Sequence, residues 1–408
     1  MRVLILNTFD KFGGAAVAAN RLAKALAKSG IQVQQRFLLK NGRVSSNARP
    51  VLSGLASWWS LILFSIERLQ VLMTVGRNHL FKYSNGKLGV SIVNSKMLDN
   101  VDVVNLHWVN FSMLSIVEIR KIAAKKPVIW TMHDMWPFTG GCHYAFDCEG
   151  FKTKCDSCFY LKSYAKSASR KILESKVDLW QNISIDMVGV SSWITGEAQS
   201  STILRSARFH TIPNPIEIDV FKPSTKESGD SPRLSILSGA LDFSDARKGI
   251  SYLIEALNRL KEKDIEFTLL VIGKAPTEVL EGFDCKMLGL ISNEEMVAVY
   301  QMADVFVLPS IQDNLPNTVM ESMSCGTPVV AFDCGGVSDM VQHKVTGYLA
   351  ENKNSEDLCS GIAFFNDAKK RALISKNGRI LVEERFSEEV VARQYQQIFD
   401  RAIEGFRP

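Results

Sequence analysis

The sequence predicts an α/β protein built from two doubly wound, Rossmann-like domains that face each other across a cleft. Three observations carry this expectation. Short apolar runs of the buried parallel-strand type alternate with helical stretches along the chain. The alternation breaks at Pro213-Asn214-Pro215 and the polar segment Lys222–Pro232, then resumes. A chain of 408 residues also exceeds what one hydrophobic core normally holds. The expected boundaries are 1–212 for the first domain, 213–385 for the second, and 386–408 for a C-terminal helix packing back on the first. Ligands of open α/β sheets sit at the carboxyl ends of the strands, so the cleft is the expected site.

In the first half, Val3–Asn7 reads as a strand, followed by Gly13-Gly14 and a helix from Ala15 to Ser29 that stops at Gly30. Further strands are expected at Val33–Leu39, Val101–His107, Pro127–His133 and Ile185–Val190, with helices near Leu114–Ala124, Tyr164–Gln181 and Trp193–Ser206. In the second half the expected strands are Leu234–Ser238, Glu266–Gly273, Asp304–Leu308, Thr327–Phe332 and Gly347–Ala350. Helices are expected around Ile250–Lys261, Asn293–Met302, Val319–Ser324 and Glu356–Phe364.

Hydrophobic residues make up 46% and charged residues 22%, an ordinary soluble balance. Met1-Arg2 leads into a four-residue apolar run, too short for a secretory leader, so a cytoplasmic location is expected. The net charge of +5 is divided unevenly. Residues 1–210 hold 27 Lys and Arg against 13 Asp and Glu, a net of +14, leaving 21 against 30, a net of −9. A basic first half suits an anionic membrane surface or an anionic acceptor, and no nucleic-acid module is recognisable. The uncharged run Val51–Ile66, with Trp58-Trp59, is too short to span a bilayer. It reads equally as a buried helix or as an interfacial one.

The most informative stretch is Ser310-Ile-Gln-Asp313-Asn-Leu-Pro316-Asn317-Thr-Val-Met-Glu321, continuing to Gly326-Thr-Pro328-Val-Val-Ala331. It reads as strand end, tight loop, helix start and buried strand. A loop feeding a helix N-terminus offers unpaired N–H groups and suits an anion, and ionised carboxylates accept hydrogen bonds from sugar hydroxyls. Phosphate and sugar together suggest a nucleotide sugar. The stretch closely resembles the Glu-x7-Glu signature of retaining glycosyltransferase family 4, with Asp313 at the first Glu and Glu321 at the second. The resemblance implies the GT-B fold, a nucleoside-diphosphate sugar donor and no cofactor required for catalysis. It also implies ribose contact at Glu321, sugar contact at Asp313, and donor contact along Leu315, Pro316 and Asn317. A front-face mechanism is implied, in which the leaving phosphate helps deprotonate the acceptor.

Other motifs fit the same family. The loop with Gly13 and Gly14 lacks G-x-G-x-x-G, which lowers an oxidoreductase reading, but glycines allow close approach to phosphate. By position it matches the family's donor- and acceptor-facing loop. Thr131-Met-His133-Asp134-Met-Trp-Pro137 puts His133 at a strand end and resembles the family's donor-contacting histidine. His107 is a second candidate, as a structural or acceptor-site group. In Gly239-Ala240 the family usually has Gly-Arg. Lys248 matches the family's pyrophosphate-facing lysine, and neighbouring Arg247 is expected to supply the second charge for the departing diphosphate.

Four of eight cysteines, Cys142, Cys148, Cys155 and Cys158, fall within seventeen residues. In a cytoplasmic protein such spacing suggests a closed structural zinc site, although the Cys142-x5-Cys148 half is wide. The remaining four read as small buried hydrophobes.

The expected function is therefore sugar transfer from a nucleoside-diphosphate sugar to a glycan acceptor, lipid-linked, in lipopolysaccharide or exopolysaccharide synthesis. The alternatives are a sugar-nucleotide epimerase of similar fold and a non-catalytic nucleotide-sugar-binding protein, the latter favoured by Ala240.

Overall fold

A computed structural model describes residues 1–40, 48–54, 56–180, 183, 185–224 and 233–407. Most of the expected polar linker (225–232), Leu55, Gln181 and Pro408 lie outside the described residues. The chain divides into two compact units, Met1–Pro213 with Val391–Pro408, and Asn214–Val390.

Unit 1 is a seven-stranded sheet: β1 (Arg2–Phe9), β2 (Gln32–Leu39), β3 (Ala48–Pro50), β4 (Val103–Leu106), β5 (Val128–Met132), β6 (Ile185–Gly189) and β7 (Arg208–Thr211), in the order β3-β2-β1-β4-β5-β6-β7. Every pairing is parallel. Burial on both faces explains why the strands read as continuous apolar runs rather than alternating ones. In β1, Leu4 and Leu6 enter one core cluster while Val3 and Ile5 enter another. The second cluster includes Val391, Tyr395 and Phe399 from the helix Glu388–Gly405, so this helix contributes to the core of unit 1.

Unit 2 is a six-stranded parallel sheet of β8 (Leu234–Asp242), β9 (Phe267–Lys274), β10 (Cys285–Gly289), β11 (Val305–Leu308), β12 (Val329–Phe332) and β13 (Tyr348–Ala350), ordered β10-β9-β8-β11-β12-β13. β11 and β12 are wholly buried. In each sheet the winding direction reverses once, between β1 and β4 in unit 1 and between β8 and β11 in unit 2. In open α/β sheets the carboxyl ends of the strands at such a reversal are the usual place for a ligand.

Three strands escaped the sequence reading: β3, β7 and β10. All are edge strands with mixed polar composition, such as Arg208-Phe-His-Thr211. The helix Ala368–Phe386 was also missed: its buried stripe is Ile374, Gly378, Leu381, Val382 and Phe386, and the exposed apolar residues Leu373 and Ile380 blur that pattern in the sequence.

Candidate active site

At the reversal in unit 2, β11 ends at Leu308 and the chain turns through Pro309–Pro316 into the helix Asn317–Ser324. The loop after β8 ends in a single 3-10 turn, Ala246–Lys248, capped by Gly249. These two loops are strapped together: Ile311 N–H donates to the Arg247 carbonyl at 2.8 Å. Gly249 has φ +63°, and a Cβ there would stand 1.9 Å from the Pro309 carbonyl oxygen. Only glycine permits that approach.

The strap brings Lys248 onto Asp313, with Nζ 2.6 Å from Oδ2. Asp313 Oδ1 also accepts the Asn314 N–H at 3.1 Å. Burial works to raise the Asp313 carboxyl, but Lys248, Arg247 and the Asn314 N–H outweigh it and hold the group below its ordinary value. Asp313 is therefore an ionised acceptor. Arg247 turns its guanidinium to Asp245, at 2.8 Å, and to the Gln312 carbonyl at 3.3 Å. Its charge reaches Asp313 while its fork is held by Asp245.

Glu321 lies in the second turn of the helix Asn317–Ser324 and is buried. Its Oε2 accepts the Tyr300 hydroxyl at 3.0 Å, a contact that sequence spacing did not indicate. Leu315 is buried, Pro316 is the residue before the helix, and Asn317 Oδ1 accepts from Asn214 Nδ2 at 3.2 Å. Thus Lys248, Arg247 and Asp313 are gathered by contact, with Leu315, Pro316, Asn317 and Glu321 on the same loop and helix.

Unit 1 has its own cluster at the β1/β4 reversal. Gly13 and Gly14 open the helix Gly14–Lys28, Gly13 with φ +85°. His107 follows β4, and His133 follows the neighbouring β5. The two rings stack with centroids 5.0 Å apart, His107 Nδ1 lying 2.8 Å from His133 Nε2. His107 Nε2 is 2.9 Å from Asn105 Oδ1, whose amide nitrogen donates to the Ile129 carbonyl and to Thr131 Oγ1. Thr131 Oγ1 meets the Tyr395 hydroxyl at 2.9 Å. Burial lowers the His133 pKa to about 4, with Asp134 pulling the other way, and burial beside His133 drives His107 well below its ordinary value.

Asp134, adjacent to His133, is saturated as a structural anchor. It accepts from His143 Nδ1 at 2.5 Å, Trp108 Nε1 at 2.6 Å and the Trp136 N–H at 2.9 Å. The His143 partner lies nine residues along and carried no sequence signal.

The cysteine segment folds close to this anchor. Cys142 and Cys158 are buried, Cys148 and Cys155 half-buried, and all four are free thiols. Cys155 adopts φ +51°, and a Cβ on Gly140 would stand 3.0 Å from the Cys155 Cβ. Burial raises Cys155 to about 11 and Cys142 further, and neighbouring cysteines add to both shifts. Among the described residues, no group of three or more His, Cys, Asp or Glu side chains stands arranged to hold a metal ion. Of the other cysteines, Cys325, Cys334 and Cys359 are buried and Cys285 is half-buried.

A family model described as Glycosyl transferases group 1 matches residues 233–365, the segment that carries Lys248, Asp313 and Glu321. The chain carries a glycosyl transferases group 1 domain. Within and around it, similarity to curated proteins is moderate. The chain is 30% identical over 165 residues to the N,N'-diacetylbacillosaminyl-diphospho-undecaprenol alpha-1,3-N-acetylgalactosaminyltransferase of Campylobacter jejuni, covering 39% of this chain and 43% of that protein. It is 29% identical over 165 residues to the putative colanic acid biosynthesis glycosyltransferase WcaL of Escherichia coli, covering 36% and 41%. The matches thus span less than half the length of these relatives. Over the whole chain the fold is that of GT-B proteins. Anabaena HepE with UDP and glucose aligns at a TM-score of 0.66 and 17% identity, covering 98% of this chain and 100% of that one. Sucrose-phosphate synthase from Thermosynechococcus elongatus aligns at 0.69 and 18%, covering 100% of each.

Proposed function

We propose that the protein is a retaining glycosyltransferase that moves a sugar from a nucleoside-diphosphate sugar to a lipid-linked glycan acceptor in cell-surface polysaccharide synthesis, working on the inner face of the cytoplasmic membrane. The observation that carries the reading is the Lys248–Asp313 pair at the β8/β11 reversal, inside the segment matched by the group 1 family model. The acceptor class is supported by the Campylobacter relative, whose name specifies a diphospho-undecaprenol-linked sugar.

In this reading the bond between the sugar C1 and the diphosphate oxygen breaks. Charge then grows on the diphosphate, where Lys248, with Arg247 behind it, stabilises it. The acceptor hydroxyl attacks C1 from the face that the diphosphate leaves, forming the new glycosidic bond, and its proton passes to the departing phosphate oxygen. Asp313 accepts hydrogen bonds from the transferred sugar and Glu321 from the ribose. The backbone of Leu315, Pro316 and Asn317 lies along the donor.

The test is incubation of the pure protein with a panel of nucleotide sugars, with and without an undecaprenyl-diphosphate-linked sugar, following nucleoside diphosphate release. Release that depends on the acceptor, with a product keeping the donor's anomeric configuration by proton NMR coupling, is expected. Release with inverted configuration overturns the retaining assignment, and no release with any donor overturns the transfer itself.

A further inference from the structure

The helix Ala56–Thr74 is turned inside out relative to an ordinary surface helix. Its buried residues are Ser60, Glu67, Arg68 and Val71, whereas Trp58 is 66% exposed, Leu69 60% and Met73 57%. At about 100° per residue, Trp58, Leu69, Ile62, Met73, Ile66 and Trp59 follow one another across about 100° of helix surface. All six are exposed, and the buried polar residues lie on the opposite side.

The polar side is firmly held. Glu67 and Arg68 form a buried ion pair at 2.9 Å, and Arg68 donates to the Leu80 and Tyr83 carbonyls and lies over the Phe111 ring. The orientation is therefore built in, because rolling the helix over would strand both charges. Burying an ion pair while leaving a wide apolar face in water costs stability unless something covers that face.

Charge decides what covers it. Between residues 51 and 98 the only acidic residue is Glu67, which is consumed by Arg68. Arg77, Lys87 and Lys96 are exposed in the same segment, and exposed Lys162 bonds the Leu72 and Met73 carbonyls at the end of the helix. A second copy would bring the same positive charges against these, whereas an anionic bilayer brings opposite ones. Exposed Phe81 and Tyr164 extend the apolar area, and Tyr164 donates to the Met73 carbonyl. Among the described residues no helix is long and apolar enough to cross a membrane, so the fit is to a helix lying in the interface plane.

We infer that the Ala56–Thr74 helix docks the protein on an anionic lipid bilayer, with the Trp58, Trp59, Leu69 and Met73 face entering the boundary between headgroups and acyl chains. This deepens the membrane location in the proposed function and needs no sugar transfer to be true. The experiment is co-sedimentation, without any donor, with vesicles of equal parts phosphatidylglycerol and phosphatidylcholine and with phosphatidylcholine alone. Wild type is compared with Trp58→Ser/Trp59→Ser and with Leu69→Ser/Met73→Ser, each checked for folding by circular dichroism. Wild type should bind the anionic vesicles, keep part of that binding in high salt, and show tryptophan quenching by brominated lipid. Each variant should bind roughly tenfold or more weakly and be released by salt. Absence of wild-type binding, absence of quenching, or wild-type affinity in both variants overturns the inference. A wild-type dimer that both variants dissociate, with vesicle binding unchanged, assigns the face to a second copy instead. Loss of sugar transfer with vesicle binding intact would count against the enzymatic reading only.

Discussion

His107 Nδ1 stands 2.8 Å from His133 Nε2, and Asn105 determines which of the two carries the proton. Because the Asn105 amide nitrogen is committed to the Ile129 carbonyl, its oxygen faces His107 Nε2, which must donate. With both rings neutral, His107 Nδ1 accepts and His133 Nε2 donates, so His133 Nδ1 is left as a bare acceptor. Nitrogen-15 NMR of the wild-type protein should show His133 as the Nε2–H tautomer from neutral pH down to about pH 5. A His133 signal from the Nδ1–H tautomer contradicts this assignment.

The same pair makes stability depend on pH, with a definite sign. His133 titrates near 6.5 when unfolded and at about 4 when folded, so between those values the unfolded chain binds more protons. Stability is full above about pH 6.5 and falls as pH drops toward 4, by up to about 3 kcal/mol from this residue. Urea titrations should show that fall, and His133→Asn should flatten it. An unchanged slope in the variant would assign the acid sensitivity to other groups, His107 first among them.

Lys248 and Asp313 should show coupled defects. Lys248→Ala is expected to slow transfer by roughly a hundredfold with a smaller change in donor KM, since its charge is needed most as the diphosphate leaves. It also strips Asp313 of its closest cation, so Lys248→Ala/Asp313→Asn should lose less than the product of the two single losses. Fully multiplicative losses in kcat/KM would mean that the two act separately, despite their 2.6 Å contact.

Glu321→Gln should weaken donor affinity by roughly tenfold or more, the worth of a charge-assisted hydrogen bond to the ribose. Tyr300→Phe removes only the hydroxyl that orients Glu321 and should cost roughly fivefold in donor affinity. Calorimetric titration with nucleoside diphosphate checks both. Near-normal affinity in Glu321→Gln would remove the ribose role.

The sheet strands that flank the site were legible because burial on both faces imposes unbroken apolar runs, as in Val305–Leu308 and Val329–Phe332. Asp313, Glu321 and Lys248 were legible through motif spacing. The contacts that define their state were not. Tyr300 reaches Glu321 across 21 residues from one helix to the next, and Asn105 with Ile129 sets His107 across 24 through a strand pairing, neither of which a local pattern encodes. The Ala56–Thr74 run was legible as a helix, but which face it exposes depends on the Glu67–Arg68 pair finding carbonyls at Leu80 and Tyr83. Arg247 stood out as a cation beside Lys248, while Asp245, two residues before it, captures its fork.

The cysteine segment yields the last prediction. Lys176 is wholly buried, donates to the Trp136 and Thr139 carbonyls, and lies over the Trp136 ring at 3.9 Å. Burial lowers its pKa to about 7, opposed by Cys142, Asp134 and Cys155, and Lys176 in turn works against the burial that raises the Cys155 thiol. Burial likewise raises the Cys158 thiol, against the pull of the Ser169 hydroxyl and the Tyr160 and Leu161 N–H groups. Zinc would draw Cys142, Cys148, Cys155 and Cys158 from their present spacing into a tetrahedron, with ligand spacing Cys155-x2-Cys158 as one half. Metal analysis of protein purified without chelator should then give about one zinc per chain. Cys155→Ser/Cys158→Ser should lose the metal and melt at lower temperature while still binding nucleoside diphosphate, since the metal would support folding of unit 1 and not donor contact. A metal-free wild type in which all four thiols react with a disulfide reagent in the folded state would end the zinc assignment.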